Sequence, residues 1–163
     1  RFRKNVIPKN ILELGYNSFK KSIVKNVGRG VAAGGYDTSG KFDISPEVTS
    51  GNVGYMDARP GNLDYCRLTS FGREYFNEFQ SGIPFVEYID YLYSKLCPKH
   101  YLKQKTIADS TNRNFVISNT SFTTVTVNQN FQTAVHKDTG DYKDGFGNLI
   151  VYNNGSYDGG FFV

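Results

Sequence analysis

The chain has 163 residues, with 19 Lys and Arg against 15 Asp and Glu for a net charge of +4, and it carries 13 Phe, 12 Tyr, no Trp and 17 Gly. That is one domain's worth of chain, enough to bury a real core; no apolar run approaches membrane-spanning length, and Arg1-Phe2-Arg3-Lys4 lacks the apolar segment of a signal peptide. The charge is uneven, because residues 1–30 hold eight basic residues (Arg1, Arg3, Lys4, Lys9, Lys20, Lys21, Lys25, Arg29) and one acid, Glu13, which makes that segment +7 and the remainder −3.

A basic end on a mildly acidic body is a candidate footprint for nucleic acid; the alternative is a solvated surface segment. Residues 1–68 read as a basic, loop-rich N-terminal region, with a helix expected near 16–25. The glycine run from Gly28-Arg29-Gly30 to Gly34-Gly35-Tyr36 lacks the strand–turn–helix context and the Lys-Ser/Thr of a P-loop. Residues 36–64 are dominated by turn formers, including Ser50-Gly51-Asn52, Gly54 and Arg59-Pro60-Gly61-Asn62, and read as a long loop. Cys66 and Cys97 fit no zinc pattern and read as reduced thiols, which points to a cytoplasmic or nuclear setting.

Residues 69–109 form a helical support in this reading. Thr69 or Ser70 caps a helix from Gly72 to Gln80 that Ser81-Gly82 ends, and Pro84 sits in the first turn of the next helix. Phe85, Ile89, Leu92 and Leu96 make one apolar stripe, and Pro98 starts a third helix running to Asp109. From 115 to 163 the pattern turns to short strands at 115–117, 122–127, 131–136, 148–152 and 159–163, with a hairpin signal at Asn153-Asn154-Gly155. Strands after a helical block predict an α+β domain in which helices cover one face of a jelly roll or barrel.

The candidate chemistry lies in His136-Lys137-Asp138. In a strand, residues two apart share a face, so the imidazole and the carboxylate point the same way and Lys137 points away. Such a pair supplies two of the three ligands in the 2-His-1-carboxylate triad of non-haem iron oxygenases. Two residues with one spacer also recur by chance, and the alternative is a surface histidine beside a turn aspartate. The other histidine, His100, lies upstream in the helical block.

The run Val-Asn-Gln-Asn-Phe-Gln-Thr-Ala-Val-His-Lys-Asp-Thr-Gly-Asp (127–141), the segment Gly145-Phe146-Gly147-Asn148-Leu149-Ile150-Val151 and Tyr157-Asp158-Gly159-Gly160 resemble the Fe(II)/2-oxoglutarate dioxygenases of the TET/JBP group. Gly54-Tyr55-Met56-Asp57 and Tyr65-Cys66-Arg67-Leu68-Thr69 resemble the segment before that group's core helices, and viral and phage members are the most similar in character. The resemblance implies a double-stranded β-helix (jelly roll) over 1–163 as one domain, incomplete at its C-terminus. It implies Fe(II) and 2-oxoglutarate as cofactors, O2 as co-substrate, and DNA as partner, with hydroxylation of the 5-methyl group of thymine or 5-methylcytosine. His136 and Asp138 then become catalytic iron ligands, Asn128 and Asn130 groups near 2-oxoglutarate, and Arg29, Tyr55, Arg59 and Arg67 walls for a flipped or single-stranded base. The group's second iron-binding histidine and its 2-oxoglutarate-binding arginine are expected beyond Val163. The same fold also serves oxygenases of protein, RNA or small molecules, and metal-free binding modules.

Overall fold

The computed structural model of the chain describes residues 3–25, 49–58, 64–130, 142–153 and 155–156. Its elements run α1 (Lys9–Phe19), a 3-10 turn (Lys20–Ser22), β1 (Val24–Lys25), β2 (Thr49–Met56), β3 (Arg67–Leu68), α2 (Ser70–Glu74), α3 (Phe76–Leu96), α4 (Pro98–Ser110), a second 3-10 turn (Arg113–Phe115) and β4 (Thr124–Gln129). Among the described residues all strand pairs are antiparallel, and β2 is the strand every other one pairs with. β4 runs beside it from Thr49↔Gln129 to Gly54↔Thr124, while β1 pairs with its first residues and β3 with its last. Helices and an antiparallel sheet agree with the expected α+β class; the described strands do not close into a jelly roll.

One face of the sheet is apolar and carries the helices. Val125 and Val127 on β4 and Val53 on β2 pack with Phe19, Phe71, Phe79, Val86 and Ile117 into a single core. Burying each such side chain contributes about 1.5–3 kcal/mol relative to leaving it in water. The opposite face of β4 presents Thr124, Thr126 and Asn128 to solvent, so the strand alternates as a half-buried strand should.

The turn-like stretch expected over 36–64 contains β2, the central strand of the sheet. Its glycines answer to crowding. A Cβ on Gly51 would collide with the backbone carbonyl of Ser22, and Gly54, at φ 95°, brings its backbone against the carbonyl of Thr123. The first helix spans Lys9–Phe19 instead of 16–25, directly after Pro8, whose carbonyl accepts the N–H groups of Ile11 and Leu12. Thr69 does cap α2, its hydroxyl accepting from the Gly72 N–H at 3.2 Å.

The stop expected at Ser81-Gly82 is absent, because α3 runs unbroken from Phe76 through Pro84 to Leu96, and the break falls earlier, at Tyr75. Gly82 is there for packing. A Cβ on it would enter the Phe19 ring, just as one on Gly15 would lie 2.6 Å from the Phe85 ring, so paired glycines let α1 and α3 approach closely. The buried stripe of α3 is Phe79, Gly82, Val86, Ile89, Asp90 and Tyr93, rotated from the expected stripe so that only Ile89 is shared. Pro98 opens α4 as expected.

Residues 113–115 form a 3-10 turn with buried Val116 and Ile117 after it, and residues 148–152 carry no strand. Leu149 and Val151 are exposed there, while Tyr152 stacks on Tyr16 with ring centroids 4.8 Å apart. The strands expected at 131–136 and 159–163, and the Asn154 turn, lie outside the described residues. Among the described residues no helix is long and apolar enough to cross a membrane. Both cysteines are free and half-buried.

Candidate metal centre and its supporting network

His136 and Asp138, the two expected iron ligands, lie outside the described residues, as do Arg29 and Arg59. What the structure defines is the frame of chain on either side of His136-Lys137-Asp138. β4 leads toward it, and residues 142–153 follow it.

Asn128 is exposed on β4, on the face turned away from the helices, opposite Ser50 of β2. Asn130 lies one residue beyond the end of β4 with φ 51°, so the two-residue alternation that would put it on Asn128's face ends at Gln129. Tyr55 stands in the helix-facing layer, edge-on to the rings of Phe79 and Phe115, and its N–H donates to the Thr123 carbonyl at 2.9 Å. Arg67 donates from Nη1 to the carbonyls of Asp57 at 3.3 Å and Tyr65 at 3.5 Å, closing the connection between β2 and β3. The structure thus brings none of these four side chains together, and engages Tyr55 and Arg67 in the fold itself.

A polar network that sequence reasoning passed over lies beneath this frame. Asp90 is buried on α3, and its Oδ1 accepts from the N–H of Ser121 at 2.7 Å and from the Ser121 hydroxyl at 2.6 Å. Its Oδ2 accepts from the Tyr101 hydroxyl of α4 at 3.0 Å. Gln104, also on α4, donates from Nε2 to the Ser121 carbonyl at 3.4 Å, and its Oε1 accepts from the Tyr93 hydroxyl at 3.1 Å. The Phe146 N–H donates to Tyr93 Oη at 3.1 Å and to Gln104 Oε1 at 3.3 Å.

Around it, His100 Nδ1 meets the Asp144 carbonyl at 3.2 Å, its ring lies 4.1 Å from that of Phe146, and Lys103 pairs with the Asp144 carboxylate at 3.6 Å. A carbonyl can only accept, so this contact makes Nδ1 the protonated nitrogen of His100. Burial, and then the Asp90 carboxylate, push the Tyr101 phenol up to about 12, and burial also raises that of Tyr93. Both phenols therefore stay neutral donors near pH 7. The signal for this network was an aspartate at 90 within an apolar helix, in phase with Val86 and Tyr93.

The donor chemistry of the motif fits ferrous iron, since one imidazole and one carboxylate are two of the three protein ligands of a facial triad. Among the described residues no group of three His, Cys, Asp or Glu comes together to hold a metal ion.

Comparison with known proteins shows the family. Residues 52–162 match the Tet/JBP family, described as the oxygenase domain of the 2OGFeDO superfamily, and the chain belongs to that family. It is 39% identical over 111 residues to the bifunctional helicase and thymine dioxygenase JBP2 of Leishmania tarentolae, a match covering 68% of this chain and 10% of that protein. It is 37% identical over 117 residues to the thymine dioxygenase JBP1 of Trypanosoma brucei brucei, covering 71% of this chain and 13% of that protein. With the thymine dioxygenase JBP1-B of Trypanosoma cruzi, identity is 34% over 111 residues, 68% of this chain and 13% of the relative. The chain therefore spans only about a tenth of the length of these relatives. No solved structure matches it. Membership of this superfamily implies ferrous iron and 2-oxoglutarate as cofactors.

Proposed function

We propose that this chain carries the ligand-bearing part of a dioxygenase that hydroxylates the 5-methyl group of thymine in DNA. The observation that carries the reading is the His136-Lys137-Asp138 motif, inside a family match to relatives named thymine dioxygenases. Oxidising an unactivated methyl group is beyond any side chain, and iron with 2-oxoglutarate and O2 supplies that oxidation when bound. The chain's own task is to hold and exclude. His136 and Asp138 hold the metal from one side, which leaves room for co-substrate on the other. Asn128, on the open polar face of β4, is suited to orient 2-oxoglutarate, with Asn130 at the turn beyond it.

In this reading the sheet is the first part of a double-stranded β-helix, with the helices outside and the polar face of Thr124, Thr126 and Asn128 lining its interior. Residues 1–163 then act as one unit: basic segment 1–68, helical support 69–109, ligand-bearing strands 115–163. The thymine reaches the iron flipped from the duplex or in a single strand, since a methyl group in a groove cannot approach a buried metal. Arg29 and Arg59 remain the arginines proposed to face it, with Tyr55 and Arg67 shaping the wall from within. An enzyme of this kind works where DNA is, in nucleus or cytoplasm.

The test is an anaerobic titration of Fe(II) with 2-oxoglutarate on the full-length protein and on His136→Ala, following the metal-to-ligand charge-transfer absorption. A band in the wild type that the substitution abolishes, followed by conversion of thymine methyl to hydroxymethyl groups in DNA in air, is the expected result. Equal absorption in both proteins, or no band in either, refutes the iron assignment.

A further inference from the structure

The polar network described above, buried at Asp90, Ser121 and Tyr93, touches the chain on both sides of the motif. Ser121 comes before β4, Phe146 comes eight residues after Asp138, and one side chain, Gln104, bonds to both. Its Nε2 holds the Ser121 carbonyl while its Oε1 takes the Phe146 N–H, and Tyr93 Oη shares that N–H. Gly145 has no Cβ where one would lie within 3.0 Å of the Gln104 carboxamide carbon, so the backbone can seat this close. Asp90 fixes Ser121 again from α3, and the Tyr93 ring that carries the hydroxyl is packed against Phe122 and Tyr101.

We infer that Tyr93 and Gln104 are positioning residues for the metal-ligand pair: through Ser121 and Phe146 they fix both ends of the stretch that bears His136 and Asp138. This rests on the iron reading of the motif. The physical reason is that ligands must be held to within about 0.5 Å to bind metal productively, and a stretch tied at one end only is not so constrained. A polar network on two packed helices, buried at Asp90, Ser121 and Tyr93 and part-buried at Gln104, offers that constraint, because bonds shielded from water reinforce one another. Groups that back metal ligands typically change metal affinity by about 10–100-fold when removed.

Two substitutions separate positioning from general support. Tyr93→Phe keeps the ring and deletes both hydroxyl bonds, and Gln104→Met keeps the length and deletes the carboxamide's own bonds to Ser121 and Phe146, leaving those from Asp90 and Tyr93. In the full-length protein, Co(II) titration read by its visible absorption gives metal affinity, and amide exchange without metal is followed in peptides covering 131–141. Expected are a cobalt Kd raised about 10-fold in Gln104→Met, with a smaller rise in Tyr93→Phe. Exchange over 131–141 accelerates in both while α1 and α3 keep wild-type protection. Unchanged affinity, unchanged exchange over 131–141, or exchange accelerated equally throughout α1 and α3 would overturn the inference. A wild type that binds no cobalt refutes the iron reading instead, and the exchange measurement then still decides whether Tyr93 and Gln104 hold this stretch.

Discussion

Gly82 shows how a single residue can belong to two opposing accounts. By helix propensity a glycine in mid-helix costs about 1 kcal/mol relative to alanine, so Gly82→Ala ought to stabilise α3. The Phe19 ring decides otherwise. It is buried at 3% exposure and already occupies the space a Cβ would take, and it has nowhere to turn among Phe71, Phe85 and Gly82 itself. Overpacking of this kind costs about 1–3 kcal/mol, and with the ring enclosed it falls toward the upper end, which leaves a net loss of up to about 2 kcal/mol after the propensity gain. A lowered urea midpoint at unchanged slope checks this. Gly147→Ala serves as the control, because nothing lies within 4 Å of its would-be Cβ. The Lys21–Glu78 pair at 2.5 Å makes the opposite case: hydrogen bonding between them raises the lysine and lowers the glutamate pKa, yet both are on the surface, where such pairs contribute little.

At the scale of elements, α3 and α4 are joined by a part-buried phenol–carboxylate contact whose pH dependence is predictable. Tyr101, donating to Asp90, titrates at about 12, above the usual phenol value near 10. A phenol that keeps its proton longer in the folded than in the unfolded chain contributes its full stability below about pH 10, and loses it as pH climbs toward about 12. The stability difference between wild type and Tyr101→Phe is therefore expected to be flat from about pH 7 to 9 and to shrink above about pH 10. Denaturant unfolding at several pH values measures it; a flat difference through that range would show that Tyr101 is not held by Asp90. Elements governed by local rules were legible in the sequence: the Thr69 cap, the Pro98 start and the alternation of Thr124–Val127 all appear where expected. Those set by tertiary crowding were not. Gly51, Gly54 and Gly82 read as turns because they are glycines, and only the chain packed against them explains why they sit in a strand and a helix. The site divided the same way. The proposed ligand pair is a sequence motif, whereas the link from Asp90 to Phe146 joins residues far apart in the chain and exists only in the folded molecule.

For the molecule as a whole, the question is whether the positive end meets DNA. Lys4 before α1, Lys9 on it, Lys20 and Lys21 in the turn after it and Lys25 on β1 are all exposed. They are not equivalent. Lys21 is committed to Glu78, and Lys9 lies 3.6 Å from Glu13 with its side chain 88% exposed, a pairing loose enough to yield to a phosphate. Lys20 has Asn17 and the Tyr16 ring for partners, neither of them an acid. If this surface lies on the phosphate backbone, replacing Lys4, Lys9 and Lys20 together by glutamine removes up to three counterion-releasing contacts. The slope of log affinity against log salt then falls by about 0.9 for each, roughly 2–3 in all, and affinity weakens alike for thymine-containing and thymine-free duplexes. Lys21→Gln leaves the slope unchanged, because that charge is already answered by Glu78. Fluorescence anisotropy over a salt series separates the outcomes. A triple variant with the wild-type slope would place the DNA elsewhere and leave α1 as a solvated face. A loss of affinity without a change of slope would instead mean that the substitutions had disturbed the packing of α1 on α3 and not a phosphate contact.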